Sequence, residues 1–113
     1  MRRLSKVDRN QPEIVQDLRT YGASVVSLAA IHGGVPDLLV GYRGVNLLME
    51  VKDGELPESK RRLTPKQQEF FVQWGGQRVT VLNSVDAIAE LMAIDQLRDY
   101  HGAYDTKPFA GRT

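Results

Sequence analysis

Apolar residues recur along this chain with two periods, and the changes from one period to the other mark out its elements. Ile14, Leu18 and Tyr21, with Val15 beside them, repeat at helical spacing. Asn10 stands at the N-cap position, Glu13 three residues later supplies a capping-box partner, and Gly22 is a C-terminal stop. Residues 23–30, ASVVSLAA, are small or β-branched and predict a strand. After a His32-Gly33-Gly34 loop, residues 36–42 and 45–52 predict two more strands, with Arg43-Gly44 as the tight turn of a hairpin.

The polar, breaker-rich stretch from Asp53 to Leu63, DGELPESKRRL, predicts a mobile loop. Thr64 then caps a second helix, with Pro65 at its first position and Gln67 at the capping-box position. Phe70, Phe71 and Trp74 give this helix a bulky apolar face for the core, and Gly75-Gly76 ends it. RVTVL, residues 78–82, predicts a fourth strand, and Ser84 opens a third helix carrying Val85, Ile88, Leu91, Met92 and Leu97. Residues 101–113 lack periodicity and predict a tail or an oligomer arm. The whole chain, 1–113, reads as a single domain with its core over about residues 8–100. The order helix, three strands, helix, strand, helix describes an α/β fold: a small mixed sheet flanked by helices. The hairpin strands must run antiparallel, whereas the third and fourth strands, joined through a helix, are free to run parallel.

Composition narrows the class without naming a function. The 113 residues are 42% hydrophobic and 26% charged, which fits an ordinary globule. No apolar run is long enough for a bilayer, and the basic N-terminus MRRLSKVDRN lacks the apolar segment of a signal peptide, so the expected location is cytoplasmic, with no membrane partner. With no cysteine, disulfides and thiolate metal sites are excluded. The net charge of +1 does not advertise nucleic-acid binding, but its distribution is uneven. Arg2, Arg3, Lys6 and Arg9 crowd the start, and Lys60, Arg61, Arg62 and Lys66 crowd the middle, where they can face a phosphate backbone or simply be solvated.

The chemistry sits on the hairpin. Side chains alternate along a strand, so Leu47, Met49 and Val51 point one way and Leu48, Glu50 and Lys52 the other. With the turn at Arg43-Gly44, the start of one strand meets the end of the next, and Asp37, Glu50 and Lys52 converge at one end of the sheet. Two neighbouring carboxylates repel unless a positive group lies between them, and a hard divalent cation such as Mg²⁺ or Mn²⁺ meets that need. Lys52 beside them can orient water or stabilise charge on a phosphate, which is the chemistry of metal-assisted phosphodiester hydrolysis. A strand-edge ion pair satisfies the same spacing, and D…ExK matches are common by chance.

Context favours the site. GVPDLLV, then NLLMEVK, then LTPKQQEFFVQWGG followed by RVTVL resembles the PD-(D/E)XK nuclease superfamily, and within it the VRR-NUC (virus-type replication-repair nuclease) domains. The likeness runs from about Glu13 to Leu82, with residues 84–100 as the last helix. It implies a restriction-endonuclease-like fold and Mg²⁺- or Mn²⁺-dependent cleavage of DNA, often at junctions, flaps or other branches. It further implies that Asp37 and Glu50 are metal ligands, that the Val51 carbonyl completes the set, and that Lys52 is the catalytic lysine. Glu13 matches the acidic residue of the first helix, which adds a ligand directly or through water. Gln67 matches a glutamine placed to hold a water, the lysine or a phosphate. Lys60, Arg61, Arg62 and Lys66, next to such a site, become candidate DNA contacts.

Small nucleases that cut two strands often form C2 dimers, so a homodimer is expected, through the third helix, the tail or the Trp74 face. The rival expectations are a non-catalytic nucleic-acid binder that retains the fold, and a protein that binds a host enzyme and uses the same charges only as salt bridges.

Overall fold

The structure, a computed structural model, describes residues 7–100. The expected tail or oligomer arm at 101–113 and the basic residues Arg2, Arg3 and Lys6 lie outside the described residues. The elements are α1 (Gln11–Tyr21), β1 (Ser24–Ser27), β2 (Leu38–Tyr42), β3 (Val45–Val51), α2 (Pro65–Gln73), β4 (Arg78–Val81) and α3 (Ser84–Tyr100), with a short 3-10 turn at Glu58–Lys60. The four strands form one sheet in the order β1-β2-β3-β4. β1, β2 and β3 are antiparallel neighbours, whereas β3 and β4 run parallel, joined through α2. The molecule is thus an α/β domain with a mixed sheet, as its pattern of elements predicts.

The hairpin turn takes the form its residues favour. Arg43 and Gly44 both have positive φ, 49° and 84°, the geometry that follows the right-handed twist of the flanking strands. The turn is also held from outside. Asp95 of α3 accepts hydrogen bonds from the Tyr21 hydroxyl at 2.9 Å, the Tyr42 hydroxyl at 2.8 Å and Arg43 Nη1 at 2.9 Å. Arg98 donates to the Arg43 carbonyl at 2.8 Å. Arg43 and Tyr42 therefore tie the hairpin tip to the helices.

One face of the sheet makes the core. Leu38, Val40, Leu47, Met49, Val51, Val25 and Val81 meet Ile14 and Leu18 of α1 and Ala87 and Leu91 of α3, all buried. The other face is barer, with Val26 54% and Leu39 36% exposed. The aromatic face of α2 does not join the core. None of its residues is buried; Phe70 and Phe71 are half-buried, and Trp74 stacks on Phe70 while 44% exposed. α1 and α3 already fill the inner face, which leaves α2 a marginal position. The apolar stripe expected on α3 is likewise divided: Leu91 is buried and Ile88 half-buried, but Val85, Met92 and Leu97 are exposed.

Local hydrogen bonding shortens β1 and orders the loop after β3. β1 stops at Ser27, because the Ala29 N–H bonds the Ser27 hydroxyl and the Ile31 N–H bonds the Leu28 carbonyl, which turns the chain early. The loop after β3 is more organised than its composition predicts. Arg9 bridges Asp53 and Glu55, Asp53 accepts from the Glu55 N–H, and Arg61 Nε donates to the Leu56 carbonyl. Among the described residues no helix is long and apolar enough to cross a membrane.

Candidate active site

Asp37, Glu50 and Lys52 meet at the end of the sheet away from the hairpin turn. β2 begins at Leu38, which pairs with Met49, so the next step of the ladder sets Asp37 beside Glu50. Past the end of β2 the Val51 N–H faces no strand partner, and Asp37 Oδ2 accepts it at 2.7 Å. Leu38 and Met49 face the core, so alternation turns Asp37, Glu50 and Lys52 to the opposite face.

α2 closes over these charges through Gln67. The capping box predicted at Thr64 and Gln67 is complete: Thr64 Oγ1 accepts the Gln67 N–H at 3.2 Å, and Gln67 Oε1 accepts the Thr64 N–H at 2.8 Å. The same Oε1 accepts from Lys52 Nζ at 2.9 Å, and Gln67 Nε2 donates to Glu50 Oε2 at 3.0 Å. Lys52 Nζ lies 3.6 Å from that same Glu50 oxygen. Gln67 is therefore both a helix cap and the link between the glutamate and the lysine. Gly34 lets the β1–β2 loop press against this turn. Its φ is +85°, and a Cβ there would clash with the Lys66 carbonyl and the Gln67 N–H.

Glu50 is 2% exposed, yet its Oε1 is buried without a hydrogen-bond partner. Burial, then the Asp37 charge, push its carboxyl up to about 8 from an ordinary 4.5, against the pull of Lys52. Burial also raises Asp37, opposed by the Val51 N–H and by its neighbours Glu50 and Lys52. Leaving such an oxygen unmatched is costly, and a cation in the cleft would remove the cost.

The surrounding cleft has a volume of about 330 Å³, with Asp37, Glu50, Val51, Lys52 and Gln67 in its lining. Asp8, His32, Gly33, Gly34, Thr64 and Lys66 also line it. The structure does not bring Glu13 there. Glu13 is exposed and lines a second cavity with Asp53, Glu55 and Ser84. The expected Asn10–Glu13 capping box is absent too. The Asn10 side chain makes no cap; its Nδ2 instead donates to the carbonyls of Lys52 at 3.2 Å and Leu82 at 3.0 Å, pinning the start of α1 to the ends of β3 and β4. Of the basic residues, Lys66 lines the cleft, Lys60 and Arg62 are exposed outside it, and Arg61 is half-buried with its Nε engaged by the loop. Asp8 is the cleft carboxylate that periodicity missed, because it precedes the helix and belongs to no repeating pattern.

Among the described residues no group of three His, Cys, Asp or Glu side chains is placed to hold a metal. The two carboxylates do fit a hard, oxygen-preferring dication that keeps part of its water shell, since one buried oxygen already lacks a partner. Comparison with protein families, with curated proteins and with solved structures finds no match to this chain, so the reading of the cleft rests on its own geometry.

Proposed function

We propose that this chain is a Mg²⁺- or Mn²⁺-dependent hydrolase of DNA phosphodiester bonds, similar to the VRR-NUC branch of the PD-(D/E)XK nucleases. The observation that carries the reading is the meeting of Asp37, Glu50, Lys52 and Gln67 in one cleft, with Glu50 Oε1 buried and unpartnered. A mixed sheet whose two central strands deliver the charges at one end also supports a restriction-endonuclease-like core.

Asp37, Glu50 and the Val51 carbonyl would hold the ion. When bound, it would supply Lewis-acid charge and lower the pKa of a coordinated water. Hydrolysis adds one water across a P–O ester bond and leaves a phosphate monoester and an alcohol. Lys52, held by Gln67, is placed to donate to a phosphate oxygen as negative charge grows there. Gln67 Nε2 donates to Glu50 Oε2, which leaves Oε1 as the oxygen without a partner. Lys66 at the rim and the exposed Lys60 and Arg62 extend this surface for the phosphate backbone of DNA, with branched DNA as the substrate class. A homodimer would bring two such clefts to two strands.

The test is incubation of the protein with labelled linear, flap and four-way DNA in Mg²⁺ and in Mn²⁺. Wild-type protein cleaves at least one substrate, and Lys52→Ala lowers the rate by about 100-fold or more. Clean wild-type protein that binds DNA and cuts none of these substrates would make the chain a non-catalytic binder.

A further inference from the structure

We propose that the uncovered half of the outer sheet face, formed by Val26 and Leu39, seats an unpaired base next to the phosphate that is cut, and so selects flaps and other single-stranded arms over continuous duplex. This inference rests on the hydrolase reading above and names the feature of branched DNA that the chain recognises.

Strand register puts this shelf beside the charges. Val26 pairs with Leu39, Leu39 with Leu48 and Leu48 with Arg78, which makes one row across the sheet. Val25, Leu38, Val40, Met49 and Val81 fill the core, so alternation turns the row to the face that carries Asp37 and Glu50. Asp37 lies two residues from Leu39, and Glu50 two residues from Leu48. The row of charges is therefore about 7 Å from the apolar row, within the reach of one nucleotide. α2 covers only part of the row. It is tied to Glu50 and Lys52 through Gln67, and Arg78 Nε donates to the Phe71 carbonyl at 2.6 Å. Leu48, on this covered side, is 7% exposed, whereas Leu39 is 36% and Val26 54% exposed. The next row, Ser24, Gly41 and Asn46, is small or polar and raises no wall against the shelf.

Two half-bare aliphatic side chains fit one flat apolar group. A stable protein interface buries roughly 1,000 Å² or more, far beyond what they offer. The faces of a base are apolar, and in a duplex they are stacked on their neighbours. An unpaired base has a free face, and laying it on Val26 and Leu39 removes apolar surface from water on both partners. The shelf adjoins the cleft, where Lys52 and Lys66 line the place for the phosphate and Ile31, 50% exposed, carries apolar surface into the lining.

The experiment is titration of the full chain with labelled flap, single-stranded and linear duplex DNA without a divalent ion, so that nothing is cut. Wild type binds the flap and the single strand more tightly than the duplex. Val26→Thr combined with Leu39→Thr keeps β-branched residues in both strands. It weakens flap and single-strand binding about 10-fold and duplex binding less than about 2-fold. Leu39→Trp, which enlarges the apolar surface, tightens flap binding. Equal losses on flap and duplex, no loss on either, or weaker flap binding by Leu39→Trp would overturn the shelf and leave the hydrolase reading standing. The shelf also falls if light scattering shows that the double variant turns a dimer into a monomer, because the face is then an interface between copies. If wild type binds none of these DNAs, both readings fall together.

Discussion

Glu50 is buried against its own chemistry, and the cost depends on pH. Its folded carboxyl titrates near 8 and its unfolded one near 4.5, so between these values the folded chain holds a proton that the unfolded chain has released. Stability of the metal-free protein should therefore be greatest below about pH 4.5 as far as this group is concerned, and should fall as pH rises towards 8. Asp37 is shifted in the same direction. Asp53 and Asp95 are held below 3.8, so their contribution is lost only in more acid solution. Thermal unfolding from pH 5 to 8 checks this: Glu50→Gln should flatten the decline, and an unchanged slope would refute it. Gln67 offers a sharper substitution. Gln67→Glu keeps a residue that can close the capping box but loses the N–H that Glu50 accepts, and adds a carboxylate beside it. Helix content by circular dichroism should be retained while cleavage falls about 10- to 100-fold. Equal activity in Gln67→Glu would mean that the side chain serves only the helix.

The two predicted capping boxes had different outcomes for a physical reason. At α2, Thr64 and Pro65 set the entry to the helix by themselves, and the box forms as its residues dictate. At α1, two carbonyls at the ends of β3 and β4 compete for the Asn10 side chain and win. That competition depends on strand ends far away in sequence, so no local pattern reveals it. α2 buries no residue of its own and is held at its first turn by Gln67 and by the close approach of Gly34. Gly33 and Gly34 make a controlled pair. Both have positive φ, but a Cβ on Gly33 meets open space, whereas one on Gly34 meets the backbone of α2. Gly33→Ala should cost about 1–2 kcal/mol of backbone strain with activity retained. Gly34→Ala should cost more and should also displace the α2 turn, with loss of cleavage. Urea unfolding and the cleavage assay read the two effects separately, and equal behaviour of the pair would count against the packing account.

At the scale of the whole molecule, apolar surface is left over. Val72 is 81% and Val85 77% exposed, and Trp74, Met92 and Leu97 are exposed as well. These residues lie on α2, at its C-cap and on α3, and the third helix and the Trp74 face are the surfaces expected to serve a dimer. Light scattering should give a dimer, and Val72→Lys or Val85→Lys should weaken it; a monomer with and without DNA would defeat that expectation. The alternation along β2 and β3, together with a two-residue turn, was enough to bring Asp37, Glu50 and Lys52 to one sheet end, because strand periodicity and hairpin register are local properties. The capping box that carries Gln67 was legible for the same reason. The rest depended on packing. α1 and α3 occupied the inner face of the sheet and left the aromatics of α2 half-exposed. Strand-end carbonyls drew Asn10 away from its cap, and Asp8 came to line the cleft while Glu13 lines another cavity. Those outcomes follow from contacts between residues distant in the chain, where groups compete for the same space and the same hydrogen bonds. Only the folded arrangement decides that competition.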